Sequence, residues 1–163
     1  MKKLLTVVSI ILTGTIVLFL GFIYLSNPIV LNGSSTYEDP NGSRDIVFHL
    51  YNEGISKVSI KKVLINNQVD NKKVDLGISY DTPQIVQSGT RNEMIKFFEL
   101  GDVFVNPRIQ SNQVKDALNK KEMTPIHYGI RIKNFTEPIE SITIKYKYLG
   151  LPITKEINVM NEI

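Results

Sequence analysis

The groups in this chain able to do chemistry are two histidines, a few serines and lysines, and a set of turn carboxylates. His49 and His127 both fall at polar positions of alternating runs, so a sheet can bring the two imidazoles to one face. Two imidazoles and a carboxylate can hold zinc, yet neither His-x-x-x-His nor His-Glu-x-x-His spacing occurs. Ser79 or Ser88 with Lys96 as base would form a Ser–Lys dyad, which requires a desolvated lysine against the hydroxyl. Lys96 instead sits on an ordinary alternating strand, and neither serine lies in a nucleophile motif. Asp70, Asp75 and Asp81 flank turns, and Glu99 and Asp102 bracket Gly101. Turn acids mostly accept hydrogen bonds from their own backbone, with a weak calcium site as the alternative. Gly-x-Ser-x-Gly, a phosphate loop and a dinucleotide fingerprint are all missing. With no cysteine, thiolate chemistry, disulfides and lipobox lipidation are excluded as well. The residues therefore predict a protein that is not an enzyme, with no catalytic set, no cofactor and no metal ligands.

The first element that must position anything is a hydrophobic span. Leu4 to Leu25 run for 22 residues without a charge, Asn, Gln or Pro. At about 1.5 Å per residue this is roughly 33 Å of helix, against a bilayer core of about 30 Å. A cleaved signal peptide would have a shorter apolar region and a small-x-small site; no Ala-x-Ala follows, and Pro28 stops the helix. Tyr24 falls where an interfacial aromatic belongs, and Lys2 and Lys3 keep the N-terminus cytoplasmic. Residues 1–26 are thus expected to be a signal anchor in the cell membrane. Leu4, Leu12, Leu18 and Leu25 face lipid, and the C-terminal domain is extracytoplasmic. A true Gly-x-x-x-Gly is absent from the span, so helix pairing is not its evident use.

The chain has 19 Lys+Arg and 16 Asp+Glu. Setting aside Lys2 and Lys3 leaves 17 against 16, a nearly neutral outer domain, and the basic runs are no longer than pairs. Nucleic-acid binding needs a dense basic face and is excluded on that ground. Richness in Lys, Asn and Ile, together with the lack of cysteine, leans bacterial.

Residues 27–43, rich in Asn, Gly, Ser and Pro, read as a linker, with Val30 and Leu31 able to pair as a short strand. From 44 to 163 a period of two recurs. Ile46, Phe48 and Leu50 share one face; so do Ile126, Tyr128, Ile130 and Ile132, and then Ile142, Ile144, Tyr146 and Tyr148. One apolar and one charged face predict antiparallel sheets with a wet side. From Ser111 to Met123 the spacing of Val114, Ala117, Leu118 and Lys121 predicts a short helix, with Ser111 or Asn112 as N-cap and Pro125 as the stop. The fold class expected is mainly β. It is an antiparallel immunoglobulin-like β-sandwich preceded by one N-terminal transmembrane helix, with a short helical insertion near 111–123.

The stretch DIVFHLYNEGISKVSIKKVLINN resembles the strand–Asn-x-Gly–strand opening of bacterial immunoglobulin-like and fibronectin type III-like surface domains. The likeness covers about 23 residues and lacks the cysteines and Trp of antibody domains. It implies a domain that binds, spaces or scaffolds, and carries no site residues. The expectation is a non-catalytic accessory or scaffolding protein that binds another envelope protein. The contact residues expected are Val114 and Leu118 of the insertion, and Tyr146 and Tyr148 if their strand is an edge. A small-molecule, calcium or glycan-binding module walled by Tyr37, Tyr51, Tyr80 and Tyr128 is the alternative, and a carboxylate-dependent hydrolase the remote one.

Overall fold

The apolar N-terminal run folds as one helix, α1 (Lys2–Ser26), in a computed structural model that describes residues 2–68 and 73–159. The helix is long and apolar enough to cross a membrane, over the 21 residues from Thr6 to Ser26. Its Thr13 and Thr15 hydroxyls donate to the carbonyls of Ser9 and Ile11, each at 2.9 Å, so neither polar atom interrupts the apolar surface. Leu4, Leu12, Leu18 and Leu25 are all exposed. Ile23 is different, because it is fully buried in the core of the domain that follows.

That burial overturns the expectation of a linker. Only Asn27, at φ 37°, and Pro28 separate α1 from strand β1 (Ile29–Glu38). β1 pairs antiparallel with β2 (Arg44–Asn52) from Ile29↔Asn52 to Glu38↔Arg44, with a bulge between Leu31 and Ser34. The polar Asn-Gly-Ser-Ser composition that imitates a linker belongs to an edge strand, which is blunted by bulges and solvated side chains. Asp39 to Ser43 make the hairpin turn, where Asp39 Oδ1 accepts from Asn41 N at 2.8 Å.

The remaining elements are β3 (Val58–Ile65), β4 (Val74–Tyr80), β5 (Ile95–Phe98), α2 (Ser111–Lys120), β6 (Pro125–Ile132), β7 (Ser141–Tyr148) and β8 (Leu151–Asn158). Among the described residues they form two antiparallel sheets, β1-β2-β6-β4-β5 and β3-β7-β8. The alternating apolar faces meet between the sheets: Phe48, Leu50 and Ile130 on one side and Ile60, Ile144 and Tyr146 on the other belong to one buried cluster.

β7 lies between β3 and β8, so it is a central strand and not an edge. Tyr146 and Tyr148 are each 1 % exposed, and both are core residues instead of partner contacts. Strand position depends on pairings far apart in the chain, which alternation alone does not carry. The two hydroxyls differ. Tyr148 Oη accepts from Ile55 N at 3.1 Å. Tyr146 Oη is buried without a hydrogen-bond partner, and burial, with Tyr148 beside it, pushes its pKa up to about 12. Tyr146→Phe should therefore leave stability unchanged or raise it by up to about 1 kcal/mol, whereas Tyr148→Phe should lower it by about 1 kcal/mol. Urea unfolding of the two variants side by side reads the difference in sign.

The outer face of the five-stranded sheet is not the wet surface that alternation predicts. Residues 81–94 cross it as a strap between β4 and β5. Ser79 Oγ donates to Gln84 O at 2.5 Å and Ser88 Oγ to Asp45 Oδ2 at 2.6 Å. Val86 is fully buried with Val47 and Ile95 beneath the strap. It sits over two glycines, Gly77 and Gly129, which face each other across β4 and β6. Further along the same strands, Asp75 pairs with Arg131 and, at 3.2 Å, with Lys133, while the Arg131 guanidinium lies 3.6 Å over the Phe97 ring.

Candidate functional site

The direction of the strands decides which loops gather where α1 meets the domain. β1 leaves from that end, so β2 returns to it, β3 and β6 start there, and β7 finishes there. Two contacts fix the turn after β2 against the helix exit. Glu53 N donates to Pro28 O at 2.8 Å, and a Cβ on Gly54 would stand 2.7 Å from Pro28 Cβ.

Asn52, 1 % exposed, organises this helix-proximal end. Its amide donates to Ser56 O and Val105 O, each at 2.9 Å. Its Oδ1 accepts from Gly54 N at 3.0 Å, and its backbone carbonyl accepts from Arg108 N at 2.8 Å. The segment ahead of α2 is thereby laid along the end of β2. α2 begins at Ser111, where the expected helical segment starts, but its N-cap is Gln110 in place of Ser111 or Asn112. Gln113 Oε1 accepts from Gln110 N at 2.8 Å, the reciprocal arm of a capping box. It ends at Lys121, left-handed at φ 54°, whose N–H reaches Ala117 O at 3.1 Å, short of the expected 123. Asp81 secures the return to β6 by accepting from Met123 N at 2.6 Å and Thr124 N at 2.9 Å.

Between this segment and the ends of β2 and β6 lies an open cleft of about 680 Å³, whose lining includes Tyr51, Asn52, Glu53, Arg108, Val114 and His127. Arg108 stacks 4.8 Å over the Tyr51 ring, and its Nη1 lies 3.8 Å from Glu53 Oε1 with both side chains largely in solvent. Val114 and Leu118 are half-buried, and Ala117 is the buried residue of α2. The cleft thus offers a planar cation and a carboxylate beside an aromatic face, with Ile109 and Ile126 adding apolar wall.

His127 faces both the cleft and the strap. Burial, with smaller contributions from the charges of His49 and Arg108, lowers its pKa, against a hydrogen bond to the Pro83 backbone that raises it. Burial also lowers His49, opposed by a hydrogen bond to the Asn32 backbone. Both imidazoles remain neutral in the folded domain to a lower pH than the ordinary 6.5. Below 6.5 the unfolded chain takes up protons first, so their contribution is complete above that pH and is lost as pH falls. Urea midpoints followed from about pH 7.5 down to about pH 5 should decline, and His49→Gln with His127→Gln should flatten the decline.

The other candidates resolve into structural roles. Ser79 and Lys96 lie on opposite faces, since Lys96 pairs with Ile78 and Ser79 with Ile95. Ser88 is spent on Asp45. Asp75 is held by two cations and Asp81 by two backbone N–H groups, Glu99 and Asp102 share one turn, and Asp70 lies outside the described residues. Among the described residues no three His, Cys, Asp or Glu side chains gather to hold a metal ion. The four tyrosines do not wall one pocket. Tyr51 lines the cleft, whereas Tyr37 borders the strap at Gly89, Tyr128 is buried and Tyr80 packs against the core. Arg108 is the residue that sequence reasoning missed. Its only signal was a cation two residues ahead of a capped helix, and the stacking on Tyr51 joins segments distant in the chain. Comparison with known protein families, curated proteins and solved structures finds no match for the chain.

Proposed function

We propose that the chain is a non-catalytic, membrane-anchored accessory module whose helix-proximal cleft receives a segment of another envelope protein. In this reading α1 holds the N-terminus in the cytoplasm, and the β domain stands outside the cell membrane. The observation that carries the proposal is the position of the cleft. The Asn52 clamp builds it at the end of the domain where α1 emerges, within reach of a neighbouring membrane protein. The lining suits an extended segment, with an apolar side chain against Ile109, Ile126 and Val114 and a carboxylate or carbonyl met by Arg108. An immunoglobulin-like classification supports a binding role and draws support from strand order. β1-β2-β6-β4 against β3-β7-β8 follows the ABED and CFG order of constant-type domains. β5 and α2 would then be insertions between the fourth and fifth strands.

Photo-crosslinking from Val114 in intact cells tests this reading. The expected result is one reproducible membrane-protein adduct, lost on Arg108→Glu and absent when the crosslinker stands at Asn41 in the β1–β2 turn. Because the Arg108–Glu53 pair is exposed, the same substitution should change folding stability by no more than about 0.5 kcal/mol. Equal adducts from positions 114 and 41 would sink the assignment.

A further inference from the structure

Exposed apolar residues are unevenly placed on the domain. Outside α1, six large apolar side chains are exposed among the described residues: Tyr37, Ile55, Ile85, Phe104, Met123 and Leu149. Four of the six stand at the helix-proximal end. Ile55, 76 % exposed, lies in the turn that bonds to Pro28 through Glu53. Leu149 follows Tyr148, whose hydroxyl accepts from Ile55 N at 3.1 Å. Phe104, 46 % exposed, precedes Val105, which exchanges backbone hydrogen bonds of 2.9 and 2.8 Å with Val58 at the start of β3. Met123 is tied by its N–H to Asp81 beyond the end of β4. An isolated exposed apolar residue signifies nothing, but a set gathered on one end marks an interaction surface.

Two features indicate what covers this rim. One is continuity, since Pro28 is both the residue that Glu53 bonds and the second residue past the end of α1. The other is charge. Residues 53–57 and 104–124 carry five Lys or Arg against three Asp or Glu, and the Lys57 ammonium lies 4.2 Å over the Phe104 ring. An apolar side chain capped by a cation suits the headgroup boundary of an anionic membrane, where the ring enters and the amine stays with phosphate.

We propose that the rim formed by Ile55, Phe104, Met123 and Leu149 seats on an anionic bilayer surface beside the exit of α1. This rests on the reading of α1 as a membrane anchor. The domain then sits on the membrane, with the cleft at headgroup level.

The chain contains no tryptophan, so single substitutions give clean depth probes. Full-length Ile55→Trp, Phe104→Trp, Tyr37→Trp and Tyr24→Trp would be reconstituted into vesicles carrying brominated acyl chains, with and without anionic phosphatidylglycerol. Trp at 55 and 104 should be quenched several-fold more strongly than at 37, and more strongly with the anionic lipid. Tyr24→Trp, within α1, reports on the anchor itself. Quenching at 24 with 55 and 104 no different from 37 would overturn the seat while leaving the anchor intact. No quenching at 24 would overturn both. Lys57→Glu should remove the gain from anionic lipid, and no such gain in the parent would overturn the electrostatic part. Should 55 stay unquenched yet crosslink to a protein in cells, the rim belongs to a protein partner and the bilayer seat is wrong.

Discussion

Asn52→Ala should lower the unfolding free energy by about 3 kcal/mol, because three side-chain hydrogen bonds disappear from a buried site. The amide spans the turn at Ser56 and the segment at Val105, while its oxygen holds Gly54 N. Truncation leaves the Ser56 carbonyl and the Gly54 N–H short of partners where water has little access. Asn52→Asp keeps the acceptor for Gly54 but sets a carboxylate against two carbonyl oxygens, and should be at least as damaging. The functional consequence separates from the stability loss. With the tie to Val105 gone, the segment carrying Arg108 is free to leave Tyr51, and the adduct from Val114 should fall even where the chain stays folded. Denaturation curves and crosslinking yields measured on the same preparations check both halves. A variant losing stability but not the adduct would show that the clamp does not shape the cleft.

Gly77→Ala and Gly129→Ala should each destabilise by about 1–3 kcal/mol, the range for overpacking a filled interior. A Cβ at 77 would run into Val86 Cγ1 and stand 2.8 Å from the Phe97 ring; one at 129 would stand 2.7 Å from Val47 Cγ1 and 3.1 Å from Val86 Cβ. Because both press on Val86, the double variant should lose less than the sum, since a strap already lifted by one methyl yields more readily to the second. Val86→Ala should recover part of the loss in the Gly77→Ala background, where Val86 Cγ1 is the atom met first, although alone it opens a void and costs about 2–3 kcal/mol. Hydrogen exchange localises the effect: protection should drop along residues 82–93 first. Strict additivity, or no recovery with Val86→Ala, would mean that the glycines serve some purpose other than admitting the strap.

The parts of the fold legible in the sequence were those in which one element carries its own signal. The apolar alternation at 46–50, 126–132 and 142–148 marked the inner faces, and the spacing of Val114, Ala117 and Leu118 marked α2. Misreadings arose where the deciding contact is distant. β1 has the composition of a loop because its polar residues lie along a sheet edge, and only pairing with β2 makes it a strand. Tyr146 and Tyr148 looked available because no local pattern tells a central strand from an outer one. The strap was hidden for the same reason, though Gly77 and Gly129 left a mark: a glycine inside a strand signals close approach by something else. The cleft was the least legible, since Tyr51, Arg108 and His127 come from three segments: Asn52 ties the first two together, and the pairing of β2 with β6 brings in the third.

The junction of α1 with β1 has a mechanical consequence. Two residues, with Ile23 already embedded in the core, provide almost no leash. Anchored as proposed, the domain is unable to sample the space above the membrane as a module on a flexible tether would. It searches instead by drifting in the plane of the bilayer, and its reach is no greater than its own height. Partners are thereby restricted to structures presented close to the lipid surface. A tilt or rotation of α1 should turn the whole domain with it, as a handle turns a blade.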